Sequence, residues 1–215
     1  MIALIVTQGP ARARRSLRSL AERADLLLAA DGGARVARAA GLVPHLIIGD
    51  FDSLDAKTAR WARRRRIPRR RLPVVKDATD AELALREALR RGAREILIFA
   101  SLTGRMDQAL ANLLLLVTAR SARARAWLTD GRATAWLASG TARIEGRSGD
   151  LVSLLPLTPA VRGIVTTGLR YPLRGGTLRR GSTRGISNEI TTAPASVRVR
   201  GGDVLVIHTP RRAPR

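Results

Sequence analysis

The stretch LLLAADGGARVARAAGLVPHLIIGDFDS, residues 26–53, holds a strand, a helix and a second strand in close succession. The runs at 26–30 and 45–49 are apolar without alternation, which is the pattern of strands covered on both faces. A helix is expected between them over 34–40, with Gly41 as its C′ residue and Pro44 soon after. Both strands end in acid. Side chains alternate along an extended segment, so Asp50 and Asp52 are expected on one side of the backbone. Two like charges placed so close raise their own pKa values or recruit a cation, and a divalent metal with oxygen ligands suits them.

The same alternation extends from residue 1 to about 130. Strands are expected at 2–7, 72–75, 95–100 and 125–129, and helices at 11–23, 55–65, 80–91 and 106–119. This reads as an α/β fold, a three-layer α/β/α domain with a mostly parallel sheet. After residue 131 helical periodicity stops, and short runs such as LVSLLPL and DVLVIH alternate with Gly, Pro, Ser and Thr. That texture reads as a small all-β sandwich. The expected domains are 1–130 and 131–215, with no long linker and no internal repeat.

Composition narrows the classes. At 215 residues and 45% hydrophobic content the chain can bury a sizeable core, and without cysteine it has no disulfide, thiolate metal site or cysteine nucleophile. The opening MIALIVTQG lacks a basic lead and is too short to span a bilayer, so it reads as a first strand, and a cytoplasmic protein is expected with no membrane partner. The net charge of +22 would suit a nucleic-acid binder. Yet the arginines are scattered over helix faces, the dense run RRRRIPRRR at 63–71 contains no aromatic residue, and aromatics are 3% of the chain. Stacking platforms are scarce, so a nucleic-acid partner is disfavoured.

Polar motifs stand where strands give way to helices, the place at which open α/β sheets bind ligands. In DGGA, Asp31 to Ala34, the glycines Gly32 and Gly33 either let the backbone approach a ligand or serve a tight turn. In KDATD, Lys76 to Asp80, Asp77 and Asp80 are either turn and N-cap residues or ligands. Their position favours the second reading. With Asp31, Asp50 and Asp52 they make five of the chain's 17 acidic residues at three neighbouring strand ends, a set suited to Mg²⁺ and nucleotide phosphates. In TGRMDQALAN, Gly104 permits close approach, Arg105 offers a planar fork for phosphate and Asp107 opens a helix. Asn112 is either a ligand contact or a satisfied core amide. There is no Walker A and no G-x-G-x-x-G pattern. In the β region, Ser187 and Asn188 of GISNE could read a heteroaromatic edge and Tyr171 of GLRYPL could stack on the ring, or all three could be turn and packing residues. His45 and His208 read as structural.

Together these motifs, in this order and over nearly the whole chain, resemble the thiamine pyrophosphokinase (thiamine diphosphokinase) family. The resemblance implies a homodimeric enzyme that transfers pyrophosphate from ATP to the hydroxyl of thiamine and releases AMP, with the thiamine site near the subunit interface. It implies Mg²⁺ on Asp50, Asp52 and Asp80, which with Arg105 form the catalytic set. ATP is expected against Asp31, Gly32, Gly33, Lys76, Asp77, Thr103, Gly104, Arg105, Asp107, Gln108 and Asn112. Thiamine is expected against Tyr171, Ser187 and Asn188. Where the family often has histidine after the aspartate, this chain has Gln108, which donates a hydrogen bond but takes up no proton at neutral pH. The rival readings are a pyrophosphokinase for another alcohol, such as a pterin, and a basic nucleic-acid-binding module; strand-end aspartates argue against the latter.

Overall fold

Apolar runs bounded by caps and glycines set the elements of the first of two units, Met1–Gly131. A computed structural model describes residues 1–10, 13–52, 54–73, 77–138 and 140–211. The elements of this unit are β1 Ile2–Val6, α1 Arg14–Ala21, β2 Leu26–Ala30, α2 Gly33–Ala39, β3 Leu46–Gly49, α3 Ala56–Arg64, β4 Arg69–Arg71, α4 Asp80–Arg90, β5 Glu95–Phe99, α5 Met106–Ser121 and β6 Arg125–Thr129. Among the described residues these strands lie side by side in the order β6-β5-β1-β2-β3-β4, every pair parallel. Ile5 of β1 sits opposite Leu28 on one side and Ile98 on the other. The chain thus leaves β1 in one direction through β2, β3 and β4, then returns to β5 on the other side. That reversal opens a crevice at the carboxyl ends of β1 and β5.

Strand alternation assigns the helical layers. Leu4, Val6, Leu27, Leu97 and Phe99 pack with Ala13 and Leu17 of the α1 region, and Ala29 and Ile47 pack with Ala34 of α2 and Ala62 of α3. The intervening Ile5, Leu28, Ile48, Ile96 and Ile98, equally buried, face the opposite layer, where α4 packs with α5 and against β1, β2 and β3. Local chemistry starts the helices. Asp55 caps α3 by accepting from Thr58 N and Thr58 Oγ1, each at 2.8 Å, as a good N-cap residue does. Thr79 caps α4 by accepting from Glu82 N at 3.2 Å, within a Thr-x-x-Glu start signature. Gly41 and Gly92 end α2 and α4 at φ +75° and +88°, as C′ glycines do.

The fourth strand departs from expectation. The expected strand at 72–75 falls partly outside the described residues, and the strand that pairs with β3 is Arg69–Arg71, three exposed arginines. It lies at the sheet edge, where backbone pairing holds it to β3 and charge discourages further strand addition. Arg70 Nη1 also reaches Glu87 Oε2 at 3.2 Å. Glu87 is 4% exposed and accepts from Arg90 Nε and Nη2 at 2.9 and 2.8 Å and from Arg91 Nε at 2.7 Å. The Arg90 hydrogen bond above all, with help from Arg91, holds the Glu87 carboxyl down at about 2 against the opposing effect of burial. A carboxylate whose folded pKa is depressed stabilises above its ordinary value and loses that contribution as pH falls toward the folded one. Glu87→Gln should therefore destabilise the protein by about 2 kcal/mol at pH 7, after discount for the exposed arginines. The gap to wild type should close as pH falls from 4.5 toward 2, read by urea unfolding across that window.

The second unit, Arg132–Arg215, is all β. Its elements are β7 Thr134–Ala138, β8 Thr141–Ile144, β9 Leu151–Pro156, β10 Ala160–Thr167, β11 Arg174–Arg179, β12 Asn188–Glu189, β13 Ala195–Arg198 and β14 Val204–Thr209. One antiparallel set runs β12-β9-β14-β7 and the other β11-β10-β13-β8. Val152, Leu154, Val204 and Val206 from the first meet Val161, Ile164 and Val197 from the second in one core, which makes the unit a sandwich. The expected runs LVSLLPL and DVLVIH correspond to β9 and β14, whereas β8, β11 and β12 carry too little apolar pattern to stand out. Both histidines are structural: His45 Nδ1 accepts from Leu27 N at 2.9 Å, and His208 Nε2 pairs with the buried Asp150 at 2.9 Å. No helix among the described residues is long and apolar enough to cross a membrane.

Candidate active site

The crevice at the β1/β5 reversal is a cleft of about 770 Å³. Its walls come from the segments that follow the strands. Thr7, Gln8 and Gly9 follow β1, Asp31 and Gly32 follow β2, Asp50 and Asp52 follow β3, and Thr79 and Asp80 begin α4. Ser101, Thr103, Gly104 and Arg105 follow β5, and Gln108 and Asn112 reach in from α5. Asn112 is 7% exposed and lines the cleft, so it is both a core amide and an available contact.

Asp31 is held by local geometry. Its backbone N donates to Ile48 O at 2.8 Å, its φ is +43°, and the absence of a side chain at Gly49 is what lets it lie against β3, since a Cβ there would stand 2.9 Å from Asp31 Cβ. Asp50 does not continue an extended strand. The chain turns at Phe51, φ +69°, and Asp52 N folds back to donate to Asp50 Oδ1 at 3.2 Å. The alternation expected for Asp50 and Asp52 therefore fails, because β3 ends at Gly49 and an Asx turn replaces the pleat. The trio whose ligand oxygens lie within 4.8 Å of one another is Asp31, Asp50 and Asp80. Asp52 lines the same cleft outside that trio. Burial pushes the Asp31 carboxyl up to about 6 against a lowering hydrogen bond from Gly32, and the charges of Asp80, Asp50 and Asp52 add to the rise. Capping by Thr79 leaves Asp80, the first residue of α4, to face the cleft rather than to cap the helix.

On the other wall, Arg105 Nε and Nη2 donate to Asp107 Oδ1 and Oδ2 at 3.2 and 2.5 Å. That exposed pair holds the Asp107 carboxyl below and the Arg105 guanidinium above their ordinary values. Asp107 orients Arg105 and is not itself among the cleft residues; Asp77 is likewise outside them. Gly33 is required by packing, since a Cβ there would sit 1.9 Å from Val6 O, and it is not among the residues that line the cleft. Neither glycine of DGGA has positive φ; Asp31 carries the turn. Lys76 and Ser53 lie outside the described residues. Sequence reading missed Thr7, Gln8, Gly9, Ser101 and Arg35, all of which line the cleft. The polar Gln8-Gly9 step at the end of β1 was the available signal for the first of these.

In the second unit, Asn188 uses both ends of its amide on one neighbour, accepting from Tyr171 N at 3.0 Å and donating to Tyr171 O at 2.7 Å. It pins the backbone of Tyr171, a residue that is 66% exposed. Ser187 is exposed at φ +57°, with its N donating to Ser153 Oγ at 3.1 Å. Gly185 is required by packing, because a Cβ there would meet Leu154 O at 2.1 Å.

Comparison with known proteins agrees with this geometry. Residues 17–128 match the family described as "Thiamin pyrophosphokinase, catalytic domain", and residues 141–202 match "Thiamin pyrophosphokinase, vitamin B1 binding domain". The thiamine pyrophosphokinase of Bacillus subtilis is 28% identical over 207 residues, covering 95% of this chain and 97% of that one. A crystal structure of thiamine pyrophosphokinase from Bacillus subtilis superposes with a TM-score of 0.86 at 26% identity, covering 99% of this chain and 100% of that one. The thiamin pyrophosphokinase from Geobacillus thermodenitrificans superposes with a TM-score of 0.83 at 27% identity, covering 99% of each chain. With the family patterns spanning both units and the strand-end carboxylates gathered in one cleft, the chain belongs to the thiamin pyrophosphokinase family.

Proposed function

We propose that the protein transfers the pyrophosphoryl group of ATP to the hydroxyl of thiamine, giving thiamine diphosphate and AMP. The observation that carries this reading is the convergence of Asp31, Asp50 and Asp80 in a cleft at the sheet's reversal point that Arg105 also lines. The donor set suits Mg²⁺: three carboxylates, all hard oxygen ligands, close enough that like-charge repulsion helps keep Asp31 protonated to higher pH. Asp31, Asp50 and Asp80 would hold the ion, with Asp52 at the same cleft. When bound, Mg²⁺ offsets phosphate charge and orients the chain of phosphates.

The protein's own groups do the rest. Gly104, at φ +88° with open space around it, lets the loop after β5 approach the phosphates, and Arg105 neutralises charge that develops during transfer. Gln8, Thr103, Gln108 and Asn112 supply hydrogen bonds that position the nucleotide. The thiamine oxygen attacks the β-phosphorus in line, the bond from that phosphorus to the AMP oxygen breaks, and the hydroxyl proton passes to a cleft carboxylate. Thiamine recognition falls to the second unit, where exposed Tyr171 and Ser187 offer a stacking face and a hydroxyl and Asn188 sets the position of Tyr171. We further propose a cytoplasmic homodimer with the thiamine site near the subunit interface.

The test is to incubate the protein with ATP and Mg²⁺ and either thiamine or a pterin alcohol, following AMP. Thiamine-dependent AMP release should dominate; preferred turnover of the pterin would overturn the choice of acceptor.

A further inference from the structure

Two basic residues line the cleft among the described residues, Arg105 and Arg35, and they come from opposite layers. Arg105 precedes α5, while Arg35 stands in the first turn of α2, on the other face of the sheet. The bland account of Arg35 is one more solvated guanidinium in a chain with 39 basic residues. Three observations oppose it. First, its neighbours on this face are employed: Arg38 Nε donates to Thr58 Oγ1 at 3.0 Å and Arg18 Nε to Ala40 O at 2.8 Å. Arg35, by contrast, has no side-chain hydrogen bond or ion pair among the described residues. Second, a cation in the first turn of a helix opposes the helix dipole, so the position gains nothing for stability. Third, the residue lies four positions after Asp31 in the chain and lines the same cleft as the carboxylate trio.

A triphosphate entering this cleft meets those carboxylates. A divalent ion offsets part of the combined negative charge, and Arg105 is already shared with Asp107. An unengaged planar fork on the opposite wall completes the balance. We propose that Arg35 is a second phosphate-binding cation of the cleft, holding the diphosphoryl end of ATP from the helical layer opposite Arg105. The inference rests on the pyrophosphoryl-transfer reading above and deepens it. It also divides the labour of the site: Arg105 and Arg35 grip the polyphosphate from two sides, so that the transferred group is held while AMP departs.

Calorimetric binding of ATP and of AMP to the full-length protein in Mg²⁺ buffer tests this, using wild type, Arg35→Met and Arg35→Lys. Arg35→Met should weaken ATP about 10- to 100-fold, the range of a lost charge-assisted hydrogen bond, and AMP by less than about threefold. Arg35→Lys should recover part of the loss, since it keeps the charge without the fork. In turnover, KM for ATP should rise while KM for thiamine holds. Arg35 is exposed, so both variants should fold, checked by thermal melts. ATP affinity unchanged in Arg35→Met, or ATP and AMP weakened alike, would overturn the assignment while wild-type ATP binding left the broader reading standing. A wild type that does not bind ATP would overturn both.

Discussion

Asp80→Asn should lower thiamine-dependent AMP release by at least about 10³-fold while the circular dichroism spectrum and melting curve stay close to wild type. The size of the loss follows from the proposed role of the site: each of the three carboxylates is a large part of the charge that would hold a divalent ion there. Asparagine keeps the shape and one oxygen but not the charge. Thr79 is the residue that caps α4, so the helix start should survive the change. Asp31→Asn should show the complementary behaviour. It removes one of three mutually repelling groups, and asparagine tolerates the left-handed backbone that Asp31 adopts at φ +43°. The metal-free protein should therefore melt about 2–4 °C higher while losing activity, a stability gain at the expense of function. Near-wild-type turnover in folded Asp80→Asn would remove the trio from the mechanism.

The other large effect is structural. Gly33→Ala should prevent accumulation of folded protein or cost more than about 4 kcal/mol, the range reserved for severe core disruption. The added carbon would lie 1.9 Å from Val6 O and 2.6 Å from Val6 C. Those atoms belong to the backbone of the central strand, which is paired on both sides and cannot retreat. A control is available at Gly201, where an added Cβ meets nothing within 4 Å and φ lies outside the positive range. Gly201→Ala should change stability by no more than about 1 kcal/mol. Chemical denaturation of both variants distinguishes a close-packing glycine from a merely tolerated one.

Continuous apolar strands, helix periodicity and the Gly41 and Gly92 stops are local signals, and the parallel layer architecture follows from them. That acidic residues at neighbouring strand ends gather in one cleft follows for the same reason, since strand ends of a parallel sheet share an edge. Which three converge was not legible. It depends on a turn at Phe51 that converts an expected pleat into a loop, and on Gly49 leaving room for Asp31. The strand Arg69–Arg71 was hidden because an edge strand needs only backbone pairing. That the Asn188 amide bonds both the N and the O of Tyr171 was not legible, because that pairing joins residues 17 apart in the chain. Arg35 went unremarked because one arginine among many carries no sequence signal.

The reversal between β1 and β5 has a kinetic consequence. Ile2 pairs with Glu95, so the central ladder joins segments far apart in the unit's chain. Such a contact carries a high loop-closure cost and forms late unless the intervening β2–β3 half organises first. Gln8 on one lip of the cleft and Thr103 on the other become neighbours only when that ladder zips; Ser101 N donating to Gln8 O at 2.8 Å is its last stitch. A chain that ends before residue 95 carries Asp31, Asp50 and Asp80 but lacks Ser101, Thr103, Gly104 and Arg105, which complete the cleft. Recovery of nucleotide binding therefore times completion of the whole parallel sheet, and secondary-structure signals should return earlier than it does.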